Sequence, residues 1–221
     1  MRNRMLERLH FETREEWLKG RAELRGIGAS EAAAAIGLSK WCSPIELWRE
    51  KTGKTAPKDL SGVDYVELGT KTEKPMRELF TVLHPEYKVE HFPFDILYQS
   101  HSPEYFATLD GELTDLATGD RGILEIKKFE IKKSSDWQEW KGKIPNYYFC
   151  QILHQLHATG FSFAWMFALL LTRDGDGELR QYYFPRELYE PDIDALIDEE
   201  EQFIGCVRSG RVPPTPLVLG V

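Results

Sequence analysis

Two short apolar runs joined by a glycine-containing turn, in residues 107–129, constrain the fold of this chain more than any other segment. The first run ends at Asp110, and the second carries Glu125 and Lys127 two positions apart. Side chains alternate between the two faces of a strand, so we expect Glu125 and Lys127 on one face and their apolar neighbours in the core. If the two runs pair as a hairpin, Asp110 lies beside Glu125.

The residue types at these three positions favour metal chemistry. Two adjacent carboxylates repel each other unless a cation lies between them. Divalent ions such as Mg²⁺ or Mn²⁺ prefer oxygen ligands, and a neighbouring lysine can orient or activate a water molecule. The same spacing also occurs on ordinary solvent-exposed strand faces, and from the motif alone that alternative stays open.

A glycine-containing loop in residues 25–31 forms a second candidate site. Gly26 and Gly28 precede Ser30, which we expect to be the N-cap of a short alanine-rich helix. A loop of this kind presents backbone N–H groups to an anion, and Arg21 could add a guanidinium group. The alternative is an ordinary capped helix with a surface arginine.

Two further polar residues lie on predicted helices. Glu73 is expected at or near a helix start within residues 63–84, where Pro75 either kinks the helix or marks a restart with Thr72 as N-cap. Gln151 belongs to a polar stripe on a predicted helix over residues 145–159. The rest of that helix is apolar, so we expect it to be buried and its glutamine to have hydrogen-bond partners.

Capping residues and hydrophobic periodicity predict an α/β layered domain, with a mixed central sheet flanked by helices. Besides the three helices above, we expect helices over residues 12–24, 44–53 and 187–207. Besides the strands carrying Asp110 and Glu125, we expect strands over residues 87–98, 161–171 and 179–184.

Composition excludes several classes of protein. The 221 residues suit one globular domain, and no apolar run approaches the length of a membrane span. The three cysteines are widely spaced and form no metal or disulfide pattern, so a reducing cytoplasm is the expected setting. The net charge of −8 argues against a whole surface built for nucleic acid and leaves a local basic path open.

Six ordered segments resemble the YqaJ-type viral recombinase family, a relative of the lambda-type alkaline exonucleases with a PD-(D/E)XK nuclease core. They are W-L-K-G-R with G-I-G-A-S-E, S-P-I-E-L-W-R-E-K-T-G, L-G-T-K-T-E, A-T-L-D-G, I-L-E-I-K and Y-Y-F-C-Q. The resemblance spans residues 17–165. Two positions depart from it: Leu109 replaces a proline, and Leu153 replaces a second glutamine expected two positions after Gln151.

The resemblance implies roles for individual residues. Asp110, Glu125 and the backbone carbonyl of Ile126 would bind catalytic metal ions, and Glu73 would contribute to a second metal or its water. Lys127 would position or activate the attacking water. The terminal 5′-phosphate would be held by Arg21, Gly28 and Ser30. Gln151 would brace the site from the helix predicted over residues 145–159.

The resemblance also implies a function. The expected activity is metal-dependent 5′-to-3′ hydrolysis of double-stranded DNA, leaving 3′ overhangs for recombination by strand annealing. The expected form is one nuclease domain over residues 1–221, with a helical part at about 11–60, assembled as a ring-shaped homotrimer. Its partner would be a single-strand annealing protein in a bacterial host, with the gene carried by a phage or prophage. The alternatives are another PD-(D/E)XK DNA nuclease or a non-catalytic scaffold that binds DNA ends.

Overall fold

The computed structural model describes residues 5–56, 64–172 and 174–214. For residues 64–68 and 70 it describes the backbone only. Helix α1 (Arg14–Leu24) begins with the predicted capping box, in which the Thr13 hydroxyl accepts from the Glu16 N–H at 3.2 Å and the Glu16 carboxylate accepts from the Thr13 N–H at 3.2 Å. These reciprocal bonds satisfy backbone donors that a helix start otherwise leaves open.

The chain then passes through three short elements before its next full helix. Strand β2 (Ile27–Gly28) leads into a 3₁₀ turn (Ala29–Glu31) and helix α2 (Ala32–Ala35). Helix α3 (Pro44–Lys51) follows, with Ser43 and Glu46 forming a second capping box and proline in the first turn.

Helix α4 (Asp64–Leu83) is one continuous helix of 20 residues that contains Pro75. The predicted restart at Thr72 is therefore wrong, and its hydroxyl instead donates to a carbonyl within the helix at 2.7 Å. Glu73 consequently lies in the middle of α4 and not near a helix start. A proline removes only one helical hydrogen bond, and burial of apolar side chains such as Phe80 against the sheet offsets that loss.

A five-stranded mixed sheet forms the centre of the molecule, as the sequence predicted. Its strands, in spatial order, are β3 (Tyr87–Glu90), β6 (Gly111–Asp115), β7 (Arg121–Glu130), β8 (Phe163–Leu171) and β9 (Gly177–Pro185). Strands β7 and β8 are parallel, and the other neighbours are antiparallel. The parallel pair requires a crossover, which consists of α5 (Ser134–Glu139) and α6 (Asn146–Thr159). Helix α5 was not predicted.

A smaller sheet of four strands corrects one prediction. It contains β1 (Leu6–Leu9), β4 (Ile96–Gln99), β5 (Tyr105–Ala107) and β2, in the order β1-β4-β5-β2. The single strand expected over residues 87–98 is instead two strands, β3 and β4, which belong to different sheets. Pro93 has no N–H to donate to a ladder, and Phe94 has a left-handed φ of 65°, so the chain turns between them.

Helix α6 packs against both sheets and against the last helix, α7 (Arg186–Ser209). His154 fixes its position, because its two ring nitrogens lie 2.9 Å from the Glu200 carboxylate and 3.2 Å from the carbonyl oxygen of Phe106. Both His154 and Glu200 are fully buried. Within the described part of the chain, none of the helices is long and apolar enough to cross a membrane.

Candidate active site

A hairpin of β6 and β7 brings Asp110 next to the second strand, but its first strand begins at Gly111, after the apolar run that was expected to form it. The pairing of β6 with β7 ends where Gly111 lies opposite Leu124. Asp110 is the residue immediately before Gly111. Its carboxylate accepts a hydrogen bond from the N–H of Ile126 at 2.7 Å. The guanidinium of Arg77, on α4, donates to the Asp110 carbonyl oxygen.

Side chains on β7 alternate as expected. Leu124 and Ile126 are buried against α4, in an apolar cluster with Phe80. Glu125 and Lys127 point to the other face, toward α6, where the Lys127 ammonium lies 2.5 Å from the Glu125 carboxylate. Only 2% of the Glu125 side chain is exposed, so this carboxylate depends on its protein partners for solvation.

Two glutamines on α6 supply those partners. Gln151 donates to one Glu125 carboxylate oxygen at 2.6 Å, and Gln155 donates to the other at 2.5 Å. The predicted bracing by Gln151 agrees with this geometry, whereas Gln155 was not assigned a role. Leu153, which stands where a second glutamine was expected, packs in the core. Helical spacing identifies the right residue, because positions four apart share a face and positions two apart do not.

The charged groups at this edge of the sheet affect one another. Burial and the neighbouring carboxylate of Glu125 raise the pKa of Asp110 well above its usual value. Burial also raises the pKa of Glu73, with a further contribution from Glu125. Burial alone would lower the pKa of Lys127, but the carboxylates of Glu125 and Asp110 outweigh it and raise that pKa. Lys127 is therefore an ammonium group at neutral pH.

The donor set fits a divalent metal in its chemistry. N–H and C=O groups of one strand residue point to the same side, so the Ile126 carbonyl faces the Asp110 edge, beyond the last β6–β7 pair. Asp110, Glu125 and this carbonyl offer oxygen ligands, which Mg²⁺ and Mn²⁺ prefer. Among the described side chains, no three of His, Cys, Asp and Glu converge on one point as a metal centre requires. In this conformation Glu125 is instead directed at Lys127 and the two glutamines.

The glycine loop brings Arg21 and Gly28 together around an unexpected anion, the carboxylate of Glu31. Its oxygens lie 3.7 Å from the Arg21 guanidinium, 2.7 Å from the Lys51 ammonium and 2.8 Å from the N–H of Gly28. Burial would raise the pKa of Glu31, but Lys51 and Arg21 outweigh it and lower that pKa. Ser30 is exposed and lies inside the 3₁₀ turn, so the prediction that it is an N-cap is wrong.

A close approach explains why glycine occupies position 28. A Cβ atom there would lie 2.7 Å from a guanidinium nitrogen of Arg21 and 2.9 Å from the ring of Phe106. Arg21 itself stacks over Trp17 at 4.9 Å and over Phe106 at 5.4 Å, which holds its guanidinium in place. Phe106 precedes Asp110 by four residues, so an extended chain separates their Cα atoms by at most about 14 Å. The ring beneath the cationic cluster therefore belongs to a residue whose Cα lies within that distance of the Asp110 Cα.

Replacing Gln155 with leucine is expected to lower metal affinity and activity by about 10- to 100-fold, because one oxygen of the buried Glu125 carboxylate loses its donor. Isothermal titration with Mn²⁺ and a hydrolysis assay measure the two effects. Gln202→Leu, at an exposed position of α7, is the matched control. Equal behaviour of both variants would contradict a role for Gln155 in holding Glu125.

Comparison with known proteins assigns the chain to a family. Residues 16–162 match the family model described as the YqaJ-like viral recombinase domain. The chain is a member of this family. A curated YqaJ-like relative, the uncharacterized protein YqaJ of Bacillus subtilis, is 30% identical over 148 residues. That alignment covers 67% of this chain but 43% of the relative, so the YqaJ-like chain described here matches less than half of that protein.

Solved structures confirm the fold. An alkaline exonuclease from Laribacter hongkongensis is similar to this YqaJ-like chain with a TM-score of 0.58 at 20% identity, covering 89% of this chain and 97% of that one. The same exonuclease in complex with dAMP gives 0.57 at 21% identity with the same coverage. This chain therefore shares its mixed α/β fold with that exonuclease, as the resemblance implied.

Proposed function

We propose that this protein is a metal-dependent 5′-to-3′ exonuclease that digests one strand of double-stranded DNA and leaves 3′ single-stranded overhangs for recombination. The observation that carries the proposal is the grouping of Asp110, Glu125 and Lys127 at one edge of the sheet, with Glu125 held by two glutamines. Family membership and the fold shared with an alkaline exonuclease support it.

Asp110, Glu125 and the Ile126 carbonyl would hold a divalent metal, and Glu73 would serve a second one. Such ions supply Lewis acidity and stabilise negative charge during phosphodiester hydrolysis. The protein's own contribution is to fix the ligands. The Ile126 N–H orients Asp110, and the amides of Gln151 and Gln155 orient Glu125. Besides burial, Glu73 contributes to the raised pKa of Asp110 and Glu125 contributes to that of Glu73, so Glu73 lies near both carboxylates, although no three such ligands converge among the described side chains.

Lys127 is suited to orient the attacking water and to stabilise charge that develops on the phosphate. Its raised pKa, caused by Glu125 and Asp110, makes the ammonium a hydrogen-bond donor in the metal-free site. The ring of Tyr148 lies 5.2 Å from this ammonium and limits its movement on the side of α6.

The cluster around Glu31 is proposed to receive the 5′-phosphate. Arg21 and Lys51 are both largely buried, with 18% and 13% of their side chains exposed, and both point at the same carboxylate. A terminal phosphate could replace Glu31 as their partner, with the exposed hydroxyl of Ser30 close by in sequence. Recognition of a phosphate and not of a base sequence is what an exonuclease that starts at 5′ ends requires.

Arg21→Ala is expected to slow digestion of 5′-phosphorylated ends by about 10-fold or more and to affect 5′-hydroxyl ends much less, because only the former lose a charged hydrogen bond. Initial rates on both substrates measure the ratio. Arg14→Ala, an exposed arginine on the same helix, is the control. An unchanged ratio in Arg21→Ala would place phosphate recognition elsewhere.

We also propose that residues 1–221 are one nuclease domain and that three copies form a ring around DNA. The net charge of −8 motivates the ring, because a basic inner channel would let an acidic chain keep hold of a polyanion. The 3′ overhang would be passed to a single-strand annealing protein. Mass measurement in solution tests the assembly, and a strictly monomeric enzyme would contradict it while leaving the nuclease proposal intact.

Incubation with three DNA substrates tests the proposed activity against its alternatives. Linear duplexes with and without a 5′-phosphate and covalently closed circles are each incubated with and without Mg²⁺. The proposal expects digestion of linear DNA only, dependent on Mg²⁺ and faster with the phosphate. Cleavage of circles would indicate an endonuclease, and binding of ends without any cleavage would indicate a scaffold.

A further inference from the structure

An exposed tryptophan stands at the end of a row of aromatic side chains that leads from Lys127 to the surface. Trp41 has 63% of its surface exposed, among the highest values for a large apolar side chain in the described part of the protein. Its ring lies 4.8 Å from Tyr147 in an edge-to-face arrangement, and Tyr147 lies 4.5 Å from Tyr148. Tyr148 is the residue that contacts the Lys127 ammonium.

The loop that carries Trp41 is held in place, although the tryptophan itself is exposed. Lys40 pairs with the Glu139 carboxylate at 2.6 Å, and its ammonium lies 5.0 Å from the ring of Tyr147. The hydroxyl of Ser39 accepts hydrogen bonds from the backbone N–H groups of Trp41 and Cys42 at 3.2 and 3.3 Å. A large aromatic side chain fixed on an ordered loop loses little conformational freedom when a ligand binds.

We propose that Trp41 is a stacking platform for an unpaired base of the DNA strand that enters the active site. Three contacts of about 5 Å connect it to the Lys127 ammonium, so it lies at most about 15 Å away. At the 3.4 Å rise of a stacked strand, that distance corresponds to at most about four nucleotides. Every nucleobase has a π face, so stacking on an aromatic ring needs no particular base sequence.

This inference rests on the proposed nuclease function, because it places single-stranded DNA next to Lys127. Strand separation near a scissile phosphate exposes unpaired bases, which an aromatic platform stabilises. Leu38, in the same loop, is also exposed at 47% but has no π face. It therefore provides a matched control for loss of apolar surface alone.

Fluorescence anisotropy with a labelled single-stranded oligonucleotide tests the platform in the Asp110→Asn protein, which should not digest the probe. Adding Trp41→Ala is expected to weaken binding by about 10-fold, whereas Trp41→Phe keeps most of the affinity and Leu38→Ala changes little. Equal losses in Trp41→Ala and Leu38→Ala, or no loss in either, would overturn the proposal. A change of subunit number in Trp41→Ala would also overturn it, since Trp41 would then be a contact between copies.

Digestion of linear duplex by the wild-type protein separates this inference from the proposed function. If the wild type digests DNA and Trp41→Ala binds the oligonucleotide normally, only the stacking platform is wrong. If the wild type digests nothing but Trp41→Ala still weakens binding selectively, the platform holds and the nuclease proposal fails.

Discussion

Replacing Lys127 with alanine is expected to slow DNA hydrolysis by about 100- to 1,000-fold, because the site loses its fixed hydrogen-bond donor. The substitution also removes the ion pair to Glu125 at 2.5 Å, so the buried carboxylate is left with the glutamine amides alone. Initial rates under saturating Mg²⁺ measure the loss, and circular dichroism establishes that the variant is folded.

Lys128 is the matched control for this experiment. It has the same side chain one residue further along β7, on the face of the strand away from Glu125 and α6. We expect Lys128→Ala to retain most of the wild-type rate. Comparable losses at both lysines would contradict the assignment that depends on strand alternation.

Asp110→Asn is expected to abolish digestion, by about 1,000-fold or more, and at the same time to stabilise the metal-free protein. The loss follows from removing a charged metal ligand. The gain follows because the ionised Asp110 is partly buried beside Glu125, whereas an asparagine can still accept from the Ile126 N–H without adding charge. Thermal unfolding in EDTA measures the gain, at about 2–4 °C for each kcal/mol of relieved repulsion.

The direction of the pKa shift gives this stabilisation a pH dependence. Burial and Glu125 raise the pKa of Asp110 in the folded protein, so folding there opposes ionisation. The contribution of protonated Asp110 to the stability of the wild-type protein is complete below the ordinary aspartate pKa of about 4. It is lost as pH rises through the raised pKa. The Tm advantage of Asp110→Asn should therefore grow as pH rises. An advantage that is constant with pH, or largest in acid, would contradict the repulsion between the two carboxylates.

The pairing of Asp110 with Glu125 could be predicted because it depends on local rules. Strand alternation and a short turn determine which residues face each other, and few long-range contacts can change that. The same applies to the two glutamines once helix geometry is considered. Position 153 is rotated by about 200° from Gln151, whereas Gln155 is rotated by about 40° and shares its face. Helical spacing was sufficient information to identify Gln155.

Other features depend on tertiary contacts that the local sequence does not contain. The glycine loop has the composition of an anion site, but the anion there is Glu31, and Lys51 reaches it from α3, 20 positions further along the chain. Helix α4 continues through Pro75 because its apolar face is buried against the sheet. Glu73 is therefore held in the middle of a long helix, a position that the helix-start signals did not predict.

End-specific labelling of a linear duplex tests the central claim most directly. Two samples of one 5′-phosphorylated duplex carry the radioactive label either at the 5′ end or at the 3′ end, and each is incubated with the protein and Mg²⁺. The account predicts early release of the 5′ label as a mononucleotide, retention of the 3′ label in long fragments, and no release of either label by Asp110→Asn. Release of the 3′ label first, or of either label in fragments of many nucleotides, would contradict it.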